Sequence, residues 1–180
     1  MTSSAIVNHE YASQLVSRLL VGAWIVGIEY WRNGWNINFA VEEDHKAVKA
    51  GLLAHPFELV LSATEIVVAE PQLWSKCIAT APVDIAALPD LHDGLAALLL
   101  FNSVAYRVKE ARAVPNGDLL LCFEGNRALI LRGHVPNAED EWSIANKWRD
   151  EKNDEPVFVG ADAGTLYAFP HAHGVLHVGS

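Results

Sequence analysis

Trp24-Ile25-Val26-Gly27-Ile28-Glu29-Tyr30-Trp31-Arg32-Asn33-Gly34-Trp35-Asn36-Ile37-Asn38-Phe39-Ala40 is the stretch whose reading decides the fold. Over residues 24–31, Trp24, Val26, Ile28 and Tyr30 share one side and Ile25, Gly27, Glu29 and Trp31 the other. That period of two belongs to a strand with both faces partly covered. Asn33-Gly34 then supplies the positive backbone angles of a tight hairpin turn. On the return, Trp35, Ile37 and Phe39 alternate with Asn36, Asn38 and Ala40. The stretch reads as an antiparallel hairpin.

Working outward, residues 11–21 place apolar side chains three and four apart, the pattern of an amphipathic helix that Gly22 stops. After the hairpin, residues 42–54 begin acidic, turn mildly helical and read as a surface excursion. Residues 57–61 and 65–69 are β-branched or apolar runs of strand length. With the hairpin they predict a four-stranded antiparallel sheet.

The second half repeats this order. Asp90 is a fair N-cap for a helix striped by Leu91, Leu95, Leu98, Leu99 and Phe101. Strands at residues 105–113, 118–123 and 127–131 follow, with turns at Pro115-Asn116-Gly117 and Glu124-Gly125-Asn126. Trp142 closes this half as Trp74 closes the first; both tryptophans, with Trp24, are expected in the core. The fold class expected is α+β: two similar halves, each a helix plus an antiparallel β-sheet, related by tandem duplication. Residues 1–82 form the first repeat, with an insertion at 42–54. Residues 83–145 form the second and 146–180 a C-terminal extension, all in one compact unit. In the extension, residues 157–159 read as a strand, and Tyr167 and Phe169 favour docking of its middle section.

Composition bounds the function. Of 180 residues, 51% are hydrophobic and 19% charged, so the chain folds around a core rather than staying disordered. The longest apolar runs are too short to cross a bilayer, and residues 1–10 lack the basic start and apolar core of a secretory signal. A cytoplasmic protein with no membrane association is expected. Cys77 and Cys122 then read as two buried thiols. The formal charge of -9, from 22 acids against 13 bases, disfavours nucleic acid, whose phosphates require Lys and Arg clusters. It favours a basic partner.

No signature of nucleophilic catalysis, phosphate binding or dinucleotide binding occurs, so no enzyme and no cofactor are expected. His171, His173 and His177 are the sharpest metal candidates, because His-x-His on a strand sets two imidazoles on one face. A metal-binding protein or metal-dependent enzyme built on them is the alternative reading. Acidic groups cluster at Glu42-Glu43-Asp44 and Glu139-Asp140-Glu141, where a negative face would steer a basic protein. Trp31, Trp35 and Trp148 add aromatic anchors of the kind that dominate interfaces.

The run 118–131, followed by Glu139-Asp140-Glu141-Trp142-Ser143-Ile144, resembles small bacterial β-rich families of unknown function in which a strand pair precedes an acidic residue and a Trp. Some of these are immunity proteins of polymorphic or contact-dependent growth-inhibition toxin systems. The resemblance implies an antitoxin-like protein that covers the active site of a cognate toxin, commonly a basic nuclease domain. The partner-binding residues expected on that reading are Trp31, Trp35, Glu42, Glu43, Asp44, Glu139, Asp140, Glu141 and Trp148. A homo-oligomeric structural protein, associating through the Trp-rich hairpin, is the third reading.

Overall fold

The computed structural model describes residues 5–31, 34–53, 59–68, 91–125, 127–136, 141–146 and 158–169. In chain order the elements are β1 (Ala5–Ile6), α1 (His9–Leu20), β2 (Trp24–Trp31), β3 (Gly34–Ala40), α2 (Lys46–Lys49), β4 (Leu59–Ala63) and β5 (Ile66–Val68). After these come α3 (Leu91–Ser103), β6 (Val108–Ala113), β7 (Leu119–Phe123), β8 (Arg127–Leu131), β9 (Trp142–Asn146), β10 (Phe158–Asp162) and β11 (Thr165–Phe169). Helices and two antiparallel sheets make this an α+β fold. No described helix is long and apolar enough to cross a membrane.

Helix α1 starts where Asn8 Oδ1 accepts the Tyr11 N–H at 2.8 Å, an N-cap that satisfies one of the helix's orphan donors. Its apolar spacing puts Ala12, Leu15, Val16, Leu19 and Leu20 on one buried face. The helix ends as expected at Gly22, whose φ of +96° lies in the region that glycine enters without strain.

The hairpin forms, but Gly34 is a strand residue and not the turn residue the sequence implied. Gly34 already pairs with Trp31 and so opens β3. The glycine serves a different purpose there: a Cβ would approach the Ala63 carbonyl of the neighbouring strand to 3.0 Å. Trp35, Ile37 and Phe39 then face the core, as their alternation requires.

The expectation of one sheet per half is corrected by the strand order. The large sheet runs β1-β11-β10-β9-β4-β3-β2 and the small one β5-β8-β7-β6. Strand β5, from the first half, leaves its neighbours to pair with β8; β9, from the second half, pairs with β4. Only Thr64 and Glu65 link β4 to β5, and the Thr64 N–H is taken by the Glu141 carbonyl at 2.8 Å. The chain therefore crosses between sheets instead of turning back along β4, whose free edge β9 fills by placing Trp142 opposite Ala63 and Ile144 opposite Leu61.

Hairpins β2-β3 and β6-β7 carry a register shift at the same point, between Ile25 and Gly27 opposite Phe39-Asn38 and between Val108 and Glu110 opposite Phe123-Cys122. An isolated bridge joins Trp24 to Arg107, the residues just before these two shifts. Strands β10 and β11 extend the large sheet beyond β9, so the middle of the C-terminal extension docks and starts at Phe158.

Residues 42–53 run largely along the surface, as expected, but are pinned to the core. Glu42, Glu43 and Asp44 are exposed, but Ala47 and Leu53 are buried. His45 anchors the segment: its Nδ1 accepts the Ala47 N–H at 3.2 Å and its Nε2 lies 2.8 Å from the Val21 carbonyl. One neutral tautomer, carrying the proton on Nε2, makes both bonds.

The described core is one continuous cluster in which Ile25, Ile37, Phe39, Leu61, Ile144 and Trp142 meet Val108, Leu121, Phe123 and Leu129. Trp142 is buried as expected, while Trp24 is only half-buried. Trp74 and Cys77 lie outside the described residues. Cys122 is a free thiol and half-buried, because it alternates with the inward Leu121 and Phe123 and so points to the outer face.

Candidate partner-binding face

The exposed acids of the β3–α2 loop are brought to the second half by Arg107, which stands at the entry to β6. Its Nη2 lies 2.6 Å from Glu42 Oε1, and its Nη1 donates to the Gly22 carbonyl at 2.9 Å. The guanidinium sits 4.7 Å from the centroid of the Trp24 ring. The Arg107 backbone N–H also donates to Glu124 Oε2 at 3.4 Å, so the β7–β8 turn joins the same rim. Arg107 thus spans residues far apart in sequence through one planar group that has both hydrogen-bonding edges and a stacking face.

A second stacked pair lies beside it. The Arg127 guanidinium is 3.8 Å from the centroid of Tyr106. Gly125, with φ +74°, leaves the room for it: a Cβ there would meet Arg127 Nη1 at 2.7 Å. An arginine over an aromatic face contributes about 0.5–1 kcal/mol at exposed sites, and an exposed ion pair such as Glu42–Arg107 about 0–1 kcal/mol. These contacts hold the rim's shape more than they stabilise the fold. Asp44 is paired only loosely, with Lys49 Nζ at 3.8 Å, and both side chains are largely exposed.

The other residues singled out in sequence scatter. Trp35 is buried at 5% exposure and packs against Tyr30 in a tilted pair with ring centroids 4.7 Å apart, so it is a core residue and not an exposed anchor. Trp31 ends β2 opposite Gly34; its side chain lies outside the described residues. So do Glu139, Asp140, Trp148, His171, His173 and His177. Among the described residues no three His, Cys, Asp or Glu side chains gather as a metal site would require.

Glu141 is the sharpest departure, since only 2% of it is exposed. Its Oε2 accepts the Ala163 N–H at 2.9 Å and its Oε1 the Val135 N–H at 3.4 Å, with His134 Nδ1 at 3.7 Å from Oε1. It belongs to a polar joint between the sheets and not to an acidic surface. Asp118, next to it in function, accepts from Arg132 Nη1 at 3.0 Å, Asn116 Nδ2 at 3.0 Å and the Gly133 N–H at 2.8 Å. Buried carboxylates so provided with donors are structural members, because a charge taken from water needs every partner it can find.

Sequence reasoning missed Arg107, Glu124, Tyr106 and Arg127. Basic residues that alternate with aromatics near strand ends, as in Tyr106-Arg107, were the available signal. No protein-family model matches the chain, and no curated protein or solved structure is detectably similar to it.

Proposed function

We propose that the chain is a protein-binding module of the immunity type, which neutralises a basic toxin domain by covering its active site. The observation that carries this reading is the rim at Arg107, which bonds Glu42 and Glu124 from different parts of the chain and lays its guanidinium over a half-buried Trp24. The overall charge of -9 supports a basic partner, since complementary fields raise association rates. Glu43 and Asp44 extend the acidic edge of the rim. Such a protein acts in the cytoplasm, where the proposal puts this one.

Tandem duplication is the second part of the proposal. It is supported by the matching register shifts in β2-β3 and β6-β7, by the reciprocal crossing of β5 and β9, and by the Trp24–Arg107 bridge. Under this pairing Phe39 answers to Phe123, Leu61 to Leu129 and Glu65 to Glu141. The last pair follows from hydrogen bonds in equivalent places, Thr64 N–H to the Glu141 carbonyl and Arg132 N–H to the Glu65 carbonyl.

The test is co-expression with the toxin domain encoded beside the gene, followed by purification on a tag carried by one partner. A stoichiometric complex at low and moderate salt, with loss of the toxin's activity, is expected. Absence of a complex across that range refutes the reading.

A further inference from the structure

An open groove of about 460 Å³ lies between α1 and β6, lined by Ser13, Gln14, Ser17, Arg18, Ala111 and Arg112. Strand β6 is the outer strand of the small sheet. Alternation in an antiparallel ladder makes every second residue turn its backbone outward. The Val114 N–H bonds the Asp118 carbonyl, so Arg112 faces β7 while Ala111 and Ala113 present their N–H and C=O to the groove side. Two of the three outward positions are occupied. Val108 bonds Gly22 and Ala23 at 2.8 Å each, and the Ala113 carbonyl accepts the Ser13 hydroxyl at 2.7 Å.

Ala111 lies between them and lines the groove, so the alternation turns its N–H toward the open space. Around it every polar side chain of the lining can donate. The side chains of Ser17, one helical turn beyond Ser13, and of the exposed Arg18 pair with no described residue. Arg112 gives its Nε to Glu110 Oε1 at 3.0 Å, which leaves its terminal nitrogens.

We infer that this groove is an anion site, taking the oxyanion of a phosphate or carboxylate group on the Ala111 N–H, the Ser17 hydroxyl and the Arg18 and Arg112 guanidinia. A planar guanidinium fits such oxygens two at a time. The site does not depend on the partner proposed above, whose rim is formed by Arg107, Glu42 and Glu124 and shares no residue with the groove.

Amide chemical shifts of the full chain, titrated with inorganic phosphate, acetate or chloride at constant ionic strength, test it. Saturable shifts of the Ala111 and Ser17 amides with phosphate or acetate are expected, and the tighter of the two identifies the group. Arg18→Gln should weaken binding by about tenfold or more, the loss of one charge-assisted hydrogen bond, and Ser17→Ala should weaken it less. Lys46→Gln, an exposed change elsewhere, should leave it unaltered. Shifts that do not saturate, that chloride reproduces, or that Arg18→Gln and Lys46→Gln reduce equally would overturn the assignment.

Discussion

The indole N–H of Trp142 donates to the Gly117 carbonyl at 2.7 Å, tying β9 of the large sheet to the β6–β7 turn of the small one. Both groups are buried. Trp142→Phe keeps most of the ring and leaves that carbonyl unpaired, so it should cost about 1–3 kcal/mol. Trp142→Ala should cost about 3–5 kcal/mol, because it also opens a cavity. Urea unfolding with an unchanged denaturant slope would give both values.

Gly133 sits in the same joint and tolerates no side chain. A Cβ there would overlap the Gly117 backbone, while its N–H serves Asp118 and its carbonyl accepts the Gly164 N–H at 2.6 Å. Gly133→Ala should therefore cost more than about 4 kcal/mol or abolish folding. Gly51→Ala is the matched control. Gly51 also has a positive φ, +69°, but a Cβ there meets nothing within 4 Å, so only the backbone term of about 1–2 kcal/mol applies. Equal losses in the two variants would show that close packing at Gly133 is unimportant.

The strands were legible because alternation is written residue by residue, as in Trp35-Asn36-Ile37-Asn38-Phe39, and so was the stop at Gly22. Their partners were not. Nothing local in Glu65-Ile66-Val67 distinguishes pairing with β4 from pairing with β8, a choice fixed by β9 arriving from far along the chain. The same blindness affected the candidate site. Glu141 carries the charge of a surface residue in sequence, and only the Val135 and Ala163 N–H groups brought against it reveal a buried strut.

Trp35 carries the one buried side-chain polar atom without a hydrogen-bond partner among the described residues, its Nε1. Replacing it by Phe removes an unpaired donor and some apolar area, two effects of opposite sign. Trp35→Phe should change stability by less than about 1.5 kcal/mol, whereas Trp35→Ala should cost about 3–5 kcal/mol. Thermal unfolding followed by circular dichroism would separate them. A Phe variant as damaged as the Ala variant would mean that the indole N–H has a partner after all.

Reversing Glu42, Glu43 and Asp44 to Lys should test the rim without disturbing the fold. All three are exposed, so the stability change should stay within about 0.5 kcal/mol at Glu43 and Asp44 and about 1 kcal/mol at Glu42, which loses its Arg107 pair. Association with a basic toxin domain should slow by about tenfold or more at low salt, and the gap should narrow as salt screens the charges. Stopped-flow association rates at several ionic strengths would measure this. A rate insensitive to the reversal would move the interface away from Arg107.

Reciprocal crossing of β5 and β9 makes each sheet depend on both halves, and this has a measurable consequence. A fragment of residues 1–82 would lack β9, leaving the β4 edge and the core-facing Leu59 and Leu61 without Trp142 and Ile144. A fragment of residues 83–180 would lack β5 and the helix α1, whose buried face packs against the core beside β6. Neither can close its apolar core alone, and the exposed strand edges invite aggregation. Each fragment expressed by itself should therefore be unfolded or insoluble, and the two co-expressed should assemble into one complex with a single cooperative unfolding transition. Independent, cooperative folding of either fragment, read by amide dispersion and urea titration, would show that the exchanged strands are an accessory and not the bond that makes one domain of two halves.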